Sequence, residues 1–517
     1  MRNALLILIG LTFTVVGCSK EILPSPDPEA PHNLIVISVD TVRADHYGAY
    51  GYGEARTPVV DQLAKEGVTF EYAIAPMPRT TPALASMMTG LWPHEHGSRD
   101  VNERVREGTF VATLFKDAGF ATAAVTANPA AGREEGFAAG FDEFEQLNAK
   151  YNAAKVTDAA IVLEQNAPKG EPLFMWVHYI DPHSPYKAPK EWRADDQSDC
   201  DALLKIERGR RRANVGGHSE RAIPHCSNAY DAEIAFTDHE VGRLLKRLRK
   251  AGRLDNAVVV FTSDHGENFG EWGAFYGHGV NVHDGAIRVP LIIAGAGIPK
   301  NVRVTEAIGL HDLAPTFLDL MNIEREKWPE MTGVSYATFL GSGEEGDTVP
   351  SLAYSQSGAA LLINYHKAWI SGRPRTGYCV NKDPYSLCWK RSRKPKLYDR
   401  SADPERKRDV SDEHPEAYAE LMAARDRWSP GAIREQSVSD GRFKLVEKPR
   451  FEGGYSRELY DLSADRDEIV DVTEENEEAS ERLSKALAAW ADDIPGYVPV
   501  ALSPEEEAQL RALGYID

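Results

Sequence analysis

Three apolar runs in this chain end on acids and imidazoles. Asn33-Leu-Ile-Val-Ile-Ser-Val closes on Asp40, Leu173–Val177 leads into His178-Tyr-Ile-Asp181-Pro-His183, and Ala257–Phe261 leads through Thr262-Ser into Asp264-His265-Gly-Glu267. Asp264 and His265 are neighbouring carboxylate and imidazole donors, and with Asp40 they make three ligands for a divalent cation. Taken singly, an acid after a strand is usually a turn or helix-cap residue, and an Asp-His pair is usually a solvated turn. Asp and His together at three run ends are harder to assign to turns alone.

Residues so distant along the chain meet only if the runs that carry them are neighbours. Each run is nearly continuously apolar, as in a strand covered on both faces. Further runs at Ala121–Val125 and Val289–Ile293 alternate with helical stretches. Thr57-Pro58 opens one helix through Leu63 and Ala64, threonine capping and proline suiting the first helical position. Asp231–Leu248 sets Ile234, Val241, Leu245 and Leu248 on one face. The alternation predicts an α/β fold with a doubly wound, mostly parallel sheet, which gathers ligands beyond the carboxyl ends of its strands. After about Gly341 the segments become short and charged, which predicts a smaller C-terminal α+β domain over 342–517 beside a main domain over 32–341. Leu397-Tyr-Asp399 and Leu459-Tyr-Asp461 are either a degenerate repeat or a chance recurrence of one strand-turn. A last helix is predicted from Pro504 to Leu513, capped by Ser503.

With 517 residues the chain is long enough for one large core and a second, smaller one. Lysine and arginine number 59 against 79 acids, a formal charge of 59 − 79 = −20, which weighs against nucleic acid as a partner. Any anion it handles must be met by local positive charge or by a metal. Arg2, the apolar run Leu5–Ile9 and Val15-Val16-Gly17 before Cys18 read as an export signal over 1–17, too short to span a membrane comfortably. Residues 18–31, with four prolines from Pro24 to Pro31, read as an extended tether. Four further cysteines in an exported chain permit disulfides; the sequence-local pairing, Cys200 with Cys226 and Cys379 with Cys388, is preferred among three. The basic stretch Arg208-Gly-Arg210-Arg211-Arg212 is ordinarily a solvated run; folded over a site, it would draw a polyanionic glycan or lipid headgroup inward.

Ordered motifs over residues 33 to 325 resemble the sulfatase family of the alkaline phosphatase superfamily. They are Val-Ile-Ser-Val-Asp40-Thr-Val-Arg-Ala-Asp, Thr80-Thr-Pro-Ala-Leu-Ala-Ser-Met-Met-Thr-Gly90 with Pro93-His-Glu-His-Gly97, Asp181-Pro-His183-Ser-Pro-Tyr, Thr262-Ser-Asp264-His265-Gly-Glu and Arg288-Val-Pro-Leu-Ile. The resemblance implies an alkaline-phosphatase-like sheet and one divalent metal (calcium, zinc or manganese) held by Asp40, Asp264, His265 and Thr80. By the family's spacing to Pro82, Thr89 and Gly90, it also implies that Thr80 occupies the nucleophile position. His183 matches the histidine facing the substrate's oxyanion or leaving group, and His278, in Gly277-His278-Gly279, stands where many sulfatases carry lysine and the phosphoethanolamine transferases histidine. The run before Cys18 resembles a lipobox, which implies a lipid anchor at Cys18 in a bacterial periplasm or on a cell surface.

Departures from the family pattern shape the expected chemistry. Sulfatases proper convert a cysteine or serine at the nucleophile position to formylglycine; threonine cannot become that aldehyde, so no formylglycine is expected. Related phosphodiesterases and phosphoethanolamine transferases use a free threonine hydroxyl there. Thr41 replaces a frequent second acid, Leu84 replaces an arginine, and Thr126-Ala-Asn128-Pro stands where Gly-Lys-Trp-His is common. With two positive charges missing and a histidine at 278, the expected substrate is a phosphate or phosphonate ester, or an unconventional sulfate ester. His183, His278 and Asp181 are candidates for a second cation. The resemblance thus implies a metal-dependent hydrolase of sulfate or phosphate esters with Thr80 as nucleophile; two rival readings are a transferase moving a phospho-alcohol headgroup from lipid to glycan, and a binding protein on a retired hydrolase fold.

Overall fold

The computed structural model describes residues 33–341 except 102, 150–151, 194–199, 201–222, 270–275 and 280, and, further on, 353–356, 363–365, 368–373, 377–382, 385–389, 395–399, 402, 408–427, 435–449 and 455–492. The export signal, Cys18, the tether, the arginine stretch and the 504–513 helix lie outside the described residues.

Among the described residues the main sheet has nine strands: β1 (Asn33–Val39), β2 (Gly67–Ile74), β3 (Ala121–Thr126), β4 (Glu143–Gln146), β5 (Leu173–Tyr179), β6 (Ala257–Ser263), β7 (Arg288–Gly295), β8 (Val302–Val304) and β9 (Ile308–Gly309). Their order is β8-β2-β7-β6-β1-β5-β3-β4, with β9 also on β2. Only β7 runs against its neighbours, pairing antiparallel with both β2 and β6, so the sheet is mostly parallel as the alternation predicts. The apolar run at 289–293 carried no mark of direction, because a strand buried on both faces looks the same either way up. β2 and β4 were not foreseen. In β2, Thr69 and Glu71 interrupt the apolar run, and β4 lies at the sheet's edge with three of its four residues exposed.

Helices cover both faces. Alternate side chains of β1 divide between two cores: Leu34 and Val36 join α2 (Thr80–Thr89), α3 (Val111–Asp117) and α6 (Leu313–Leu320), while Ile35, Ile37 and Val39 join α1 (Pro58–Glu66), α4 (Ala153–Asn166) and α5 (Ile223–Lys250). α1 is the helix predicted from Thr57-Pro58, and α5 begins several residues ahead of the predicted Asp231. Among the described residues, no helix is long and apolar enough to cross a membrane.

A disulfide joins Cys200 to Cys226 at the start of α5, with Cα atoms 4.8 Å apart and a sequence separation of 26. A closed loop of that length restricts the unfolded chain by about 3 to 4 kcal/mol. The Cys200→Ala/Cys226→Ala protein is expected to unfold at lower denaturant by about that amount; an unchanged midpoint would show that the crosslink does not hold this helix. Cys379 and Cys388 are backbone register partners on neighbouring antiparallel strands.

Beyond residue 341, strands Ala353–Gln356, Gln436–Ser439, Phe443–Pro449 and Tyr455–Asp461 form a second sheet, and five strands between Ile363 and Asp399 form a third. The two Leu-Tyr-Asp copies are a structural repeat. Leu397 N donates to Asp409 Oδ1 and Ser411 Oγ at 3.3 and 3.1 Å, and Leu459 N donates to Asp471 Oδ1 and Thr473 Oγ1, both at 3.0 Å. Each acceptor lies at the same offset from its leucine, and a helix follows each copy: α7 (Pro415–Arg427) and α8 (Glu477–Asp492). The second sheet clamps the main domain through Lys444, whose buried ammonium bridges Asp284 and Glu468 at 2.6 and 2.5 Å.

Candidate active site

The register of three adjacent strands assembles the acids. Val39 pairs with Ser263 of β6 on one side and with Tyr179 of β5 on the other. Asp40 and Asp264 are each the next residue, so parallel strands in this register bring the two carboxylates side by side at their carboxyl ends. Asp40 N extends the ladder by donating to Tyr179 O at 2.9 Å. The chain then turns through Thr41, a β-branched residue at φ 59°, a conformation that costs about 1 to 3 kcal/mol and needs support. Support comes from Thr41 N donating to Asp264 Oδ1 at 3.0 Å and from the Tyr230 hydroxyl donating to Thr41 O at 2.6 Å. Thr41, standing where the family carries a second acid, thus helps orient Asp264 through its backbone.

Ligand atoms of Asp40, Asp264 and His265 lie within 4.8 Å of one another, and all three residues are fully buried. His265 Nδ1 meets Gly266 O at 2.9 Å; a carbonyl only accepts, so Nδ1 carries the proton and Nε2 presents its lone pair. Thr80 Oγ1 lies 3.3 Å from that Nε2. Asp40 Oδ1 and Asp264 Oδ2 are buried without a hydrogen-bond partner among the described residues. Two adjacent buried carboxylates with orphaned oxygens, beside an imidazole lone pair, are a donor set that fits a divalent cation. Burial first and the Asp264 charge second hold the Asp40 carboxyl well above its ordinary range.

Thr80 is the first residue of α2, and Arg79, not a threonine, is its N-cap. Pro82 is the third residue of this helix, where proline is tolerated because N–H groups of the first turn have no intrahelical acceptor. Thr81 does not cap: its hydroxyl donates to Ala130 O at 2.7 Å. His96 anchors the helix from behind. Ser98 N donates to its Nδ1 at 3.2 Å, so Nε2–H faces Pro82 O at 3.2 Å, and burial pushes this imidazole down to about 3, neutral at any working pH.

His278 and His183 adjoin the cluster. The His278 ring centroid is 4.3 Å from that of His265 and 5.3 Å from that of His183. Asp181 does not join them. Burial raises it to about 7 while its carboxylate accepts the Ala153 N–H at the start of α4. Asp40, Asp264 and His265 are the only such donor group among the described residues, so the second cation has no cluster to hold it.

Other partners lie within or beside the motifs but were given no role by the sequence. Asn128 Nδ2 donates to Asp40 Oδ2, and its Oδ1 accepts from Ala130 N at 2.8 Å. Glu267 Oε1 accepts from His278 Nδ1 at 3.1 Å, a carboxylate–imidazole pair that fixes the ring. Trp176 Nε1 donates to Ser38 Oγ at 2.9 Å, and Ser38 Oγ is 2.9 Å from His178 Nδ1, an arrangement that turns His178 Nε2 towards Asp40 Oδ2 at 3.7 Å. Burial pushes His178 down to about 4, leaving it neutral.

The family model described as Sulfatase matches residues 32–323. An ulvan-active sulfatase of Formosa agariphila is 29% identical over 359 residues, covering 62% of this chain and 67% of that protein. A choline-sulfatase of Rhizobium meliloti is 29% identical over 240 residues, covering 43% of this chain and 45% of its own. Among solved structures, a protein in complex with its substrate D-glucosamine-2-N,6-O-disulfate superposes with a TM-score of 0.63 at 19% identity, covering 90% of this chain and 98% of its own. The phosphonate monoester hydrolase of Agrobacterium radiobacter gives 0.61 at 20% identity, covering 89% and 96%. With its ordered motifs, its mostly parallel sheet and more than half its length matched, this chain belongs to the sulfatase family of the alkaline phosphatase superfamily and is a hydrolase of sulfuric or phosphoric esters.

Proposed function

We propose that the protein cleaves its ester by two successive displacements, with Thr80 as the group that attacks. The observation that carries this reading is the Thr80 hydroxyl 3.3 Å from His265 Nε2, at a helix N-terminus and beside two buried acids. A divalent cation held by Asp40, Asp264 and His265 would supply an electrophilic field that lowers a neighbouring hydroxyl's pKa and offsets negative charge. Thr80 Oγ, its hydroxyl proton released to solvent, forms a bond to sulfur or phosphorus as the bond to the alcohol oxygen breaks. His183 Nε2 gives that oxygen a proton, while Nδ1 stays on Ser184 O at 2.8 Å. Water then attacks the Thr80 ester, one of its protons returning to His183 Nε2 and the other to Thr80 Oγ, as the acid leaves as its anion. First-turn N–H groups of α2 favour the oxyanion, and Glu267 keeps His278 turned towards the same space.

Two in-line displacements retain configuration. An isotopically chiral phosphate or sulfate ester is expected to give product with retention; inversion would mean that water attacks directly and would discard the threonine intermediate. His183→Asn is expected to lower kcat/KM about a hundredfold for esters of weakly acidic alcohols. The loss is expected to be far smaller for an activated aryl ester, whose leaving group needs no proton. Equal losses across a leaving-group series would remove His183 from that role.

In this reading the ester is carried on a glycan or a lipid headgroup, in keeping with a relative named for activity on ulvan. The enzyme works on a lipid anchor at Cys18 in a bacterial periplasm or at the cell surface. Val15-Val16-Gly17 before the cysteine and a disulfide within the main domain support that place. Metabolic labelling with a clickable fatty acid, lost in Cys18→Ala, tests it.

A further inference from the structure

Within the family pattern this site is short of positive charge, since Leu84 and the Asn128 segment stand where cations are usual. Folding brings one to the site from an unexpected position. Arg79, immediately before Thr80, is 8% exposed. Its Nη1 is held by Asp100 Oδ1 at 2.9 Å, and its Nε has no hydrogen-bond partner among the described residues. The other side of the guanidinium lies against the loop of His278: a Cβ added at Gly279 would come within 2.8 Å of Nε, 2.9 Å of Cζ and 3.0 Å of Nη2. Gly279, at φ +88°, is therefore what lets this loop lie on the arginine. Two residues along the same loop, Asn281 is buried with neither amide atom hydrogen-bonded among the described residues.

We propose that Arg79 is the anion-binding residue of this site, its Nε–Nη2 edge receiving the non-bridging oxygens of the ester. Asp100 takes Nη1 and fixes the rotamer, so Nε–H and the Nη2–H beside it are presented as a fork suited to a tetrahedral oxyanion. Its place between the helix end that carries Thr80 and the loop that carries His278 is where those oxygens must lie if Thr80 attacks. The location of the ester rests on the reading of Thr80 as nucleophile, whereas anion binding by the guanidinium does not need any bond to form.

Competitive inhibition of the metal-loaded enzyme by inorganic phosphate and by sulfate tests the assignment. Arg79→Gln is expected to raise the inhibition constants about ten- to a hundredfold and to raise KM alongside any loss in kcat. Arg79→Lys, which keeps the charge next to Asp100 but not the fork, is expected to fall between. Calorimetry on Thr80→Ala separates the two readings: phosphate binding is expected to survive there and to be lost in Thr80→Ala/Arg79→Gln, whether or not Thr80 attacks. Inhibition constants in Arg79→Gln within about twofold of wild type, beyond what a charged hydrogen bond allows, would overturn the proposal. Should that variant fail to fold, constants for Arg79→Lys identical to wild type would overturn it instead.

Discussion

Thr80→Ala is expected to lower kcat at least about a thousandfold on every ester that the wild type hydrolyses, because removing a nucleophile leaves only binding and charge stabilisation. The next hydroxyl along the helix does not take its place, because that of Thr81 is committed to Ala130 O. Thr80→Ser keeps an attacking oxygen and is expected to keep measurable turnover, with some loss from the freer side chain. The alanine variant removes only two buried heavy atoms from the first turn of α2, a cost of about 1 kcal/mol in a large core, so its inactivity would not be unfolding. Stopped-flow rates with aryl sulfate, phosphate monoester, phosphodiester and phosphonate monoester read the outcome and also rank the esters. Wild-type rates in the alanine variant would discard the mechanism.

How much of this site was legible in the sequence depended on what encodes each part. Asp40, Asp264 and His265 were readable because a double-sided strand is an apolar run, and its end marks the ligand-binding edge of a parallel sheet. That β1 and β6 are in-register neighbours was not readable, yet that register is what joins the acids. Thr80 was reached through the family's spacing alone, since a threonine before a helix is ordinarily a cap; here the cap is Arg79. Asn128, Glu267 and Arg79 hold or serve the cluster through long-range contacts that no local pattern signals. Glu267 at least stood within the Asp264 motif, three residues on. The Leu-Tyr-Asp copies were undecidable as triplets. Their shared structure shows in the residues twelve and fourteen positions later, which close the same loop in both. Direction was the blind spot of the strand reading, as β7 demonstrates.

Chelation is expected to abolish turnover and to destabilise the protein more at high pH than at low. The sign follows from Asp40. Its carboxyl is held above its ordinary value of 3.8 in the folded protein, chiefly by burial and then by Asp264. The metal-free fold therefore favours the protonated acid, a contribution fully present below the unfolded value and lost as pH rises through the folded one. A cation between Asp40 and Asp264 stabilises the ionised pair, so the loaded protein does not suffer that loss. It also gains about 2.7 kcal/mol when the metal is a hundredfold above its Kd. The gap in Tm between loaded and chelated protein is thus expected to widen from about pH 5 to about pH 8. Asp40→Asn separates charge from ligation. It removes the buried carboxylate, so the metal-free variant is expected to lose this pH dependence and to exceed metal-free wild type in Tm at about pH 8, while binding metal weakly and turning over poorly. Add-back of calcium, zinc or manganese to the chelated enzyme, read by activity and by Tm together, identifies the cation. A Tm that ignores chelator at every pH would mean that Asp40, Asp264 and His265 hold no metal, and the electrophile for Thr80 would have to be sought elsewhere.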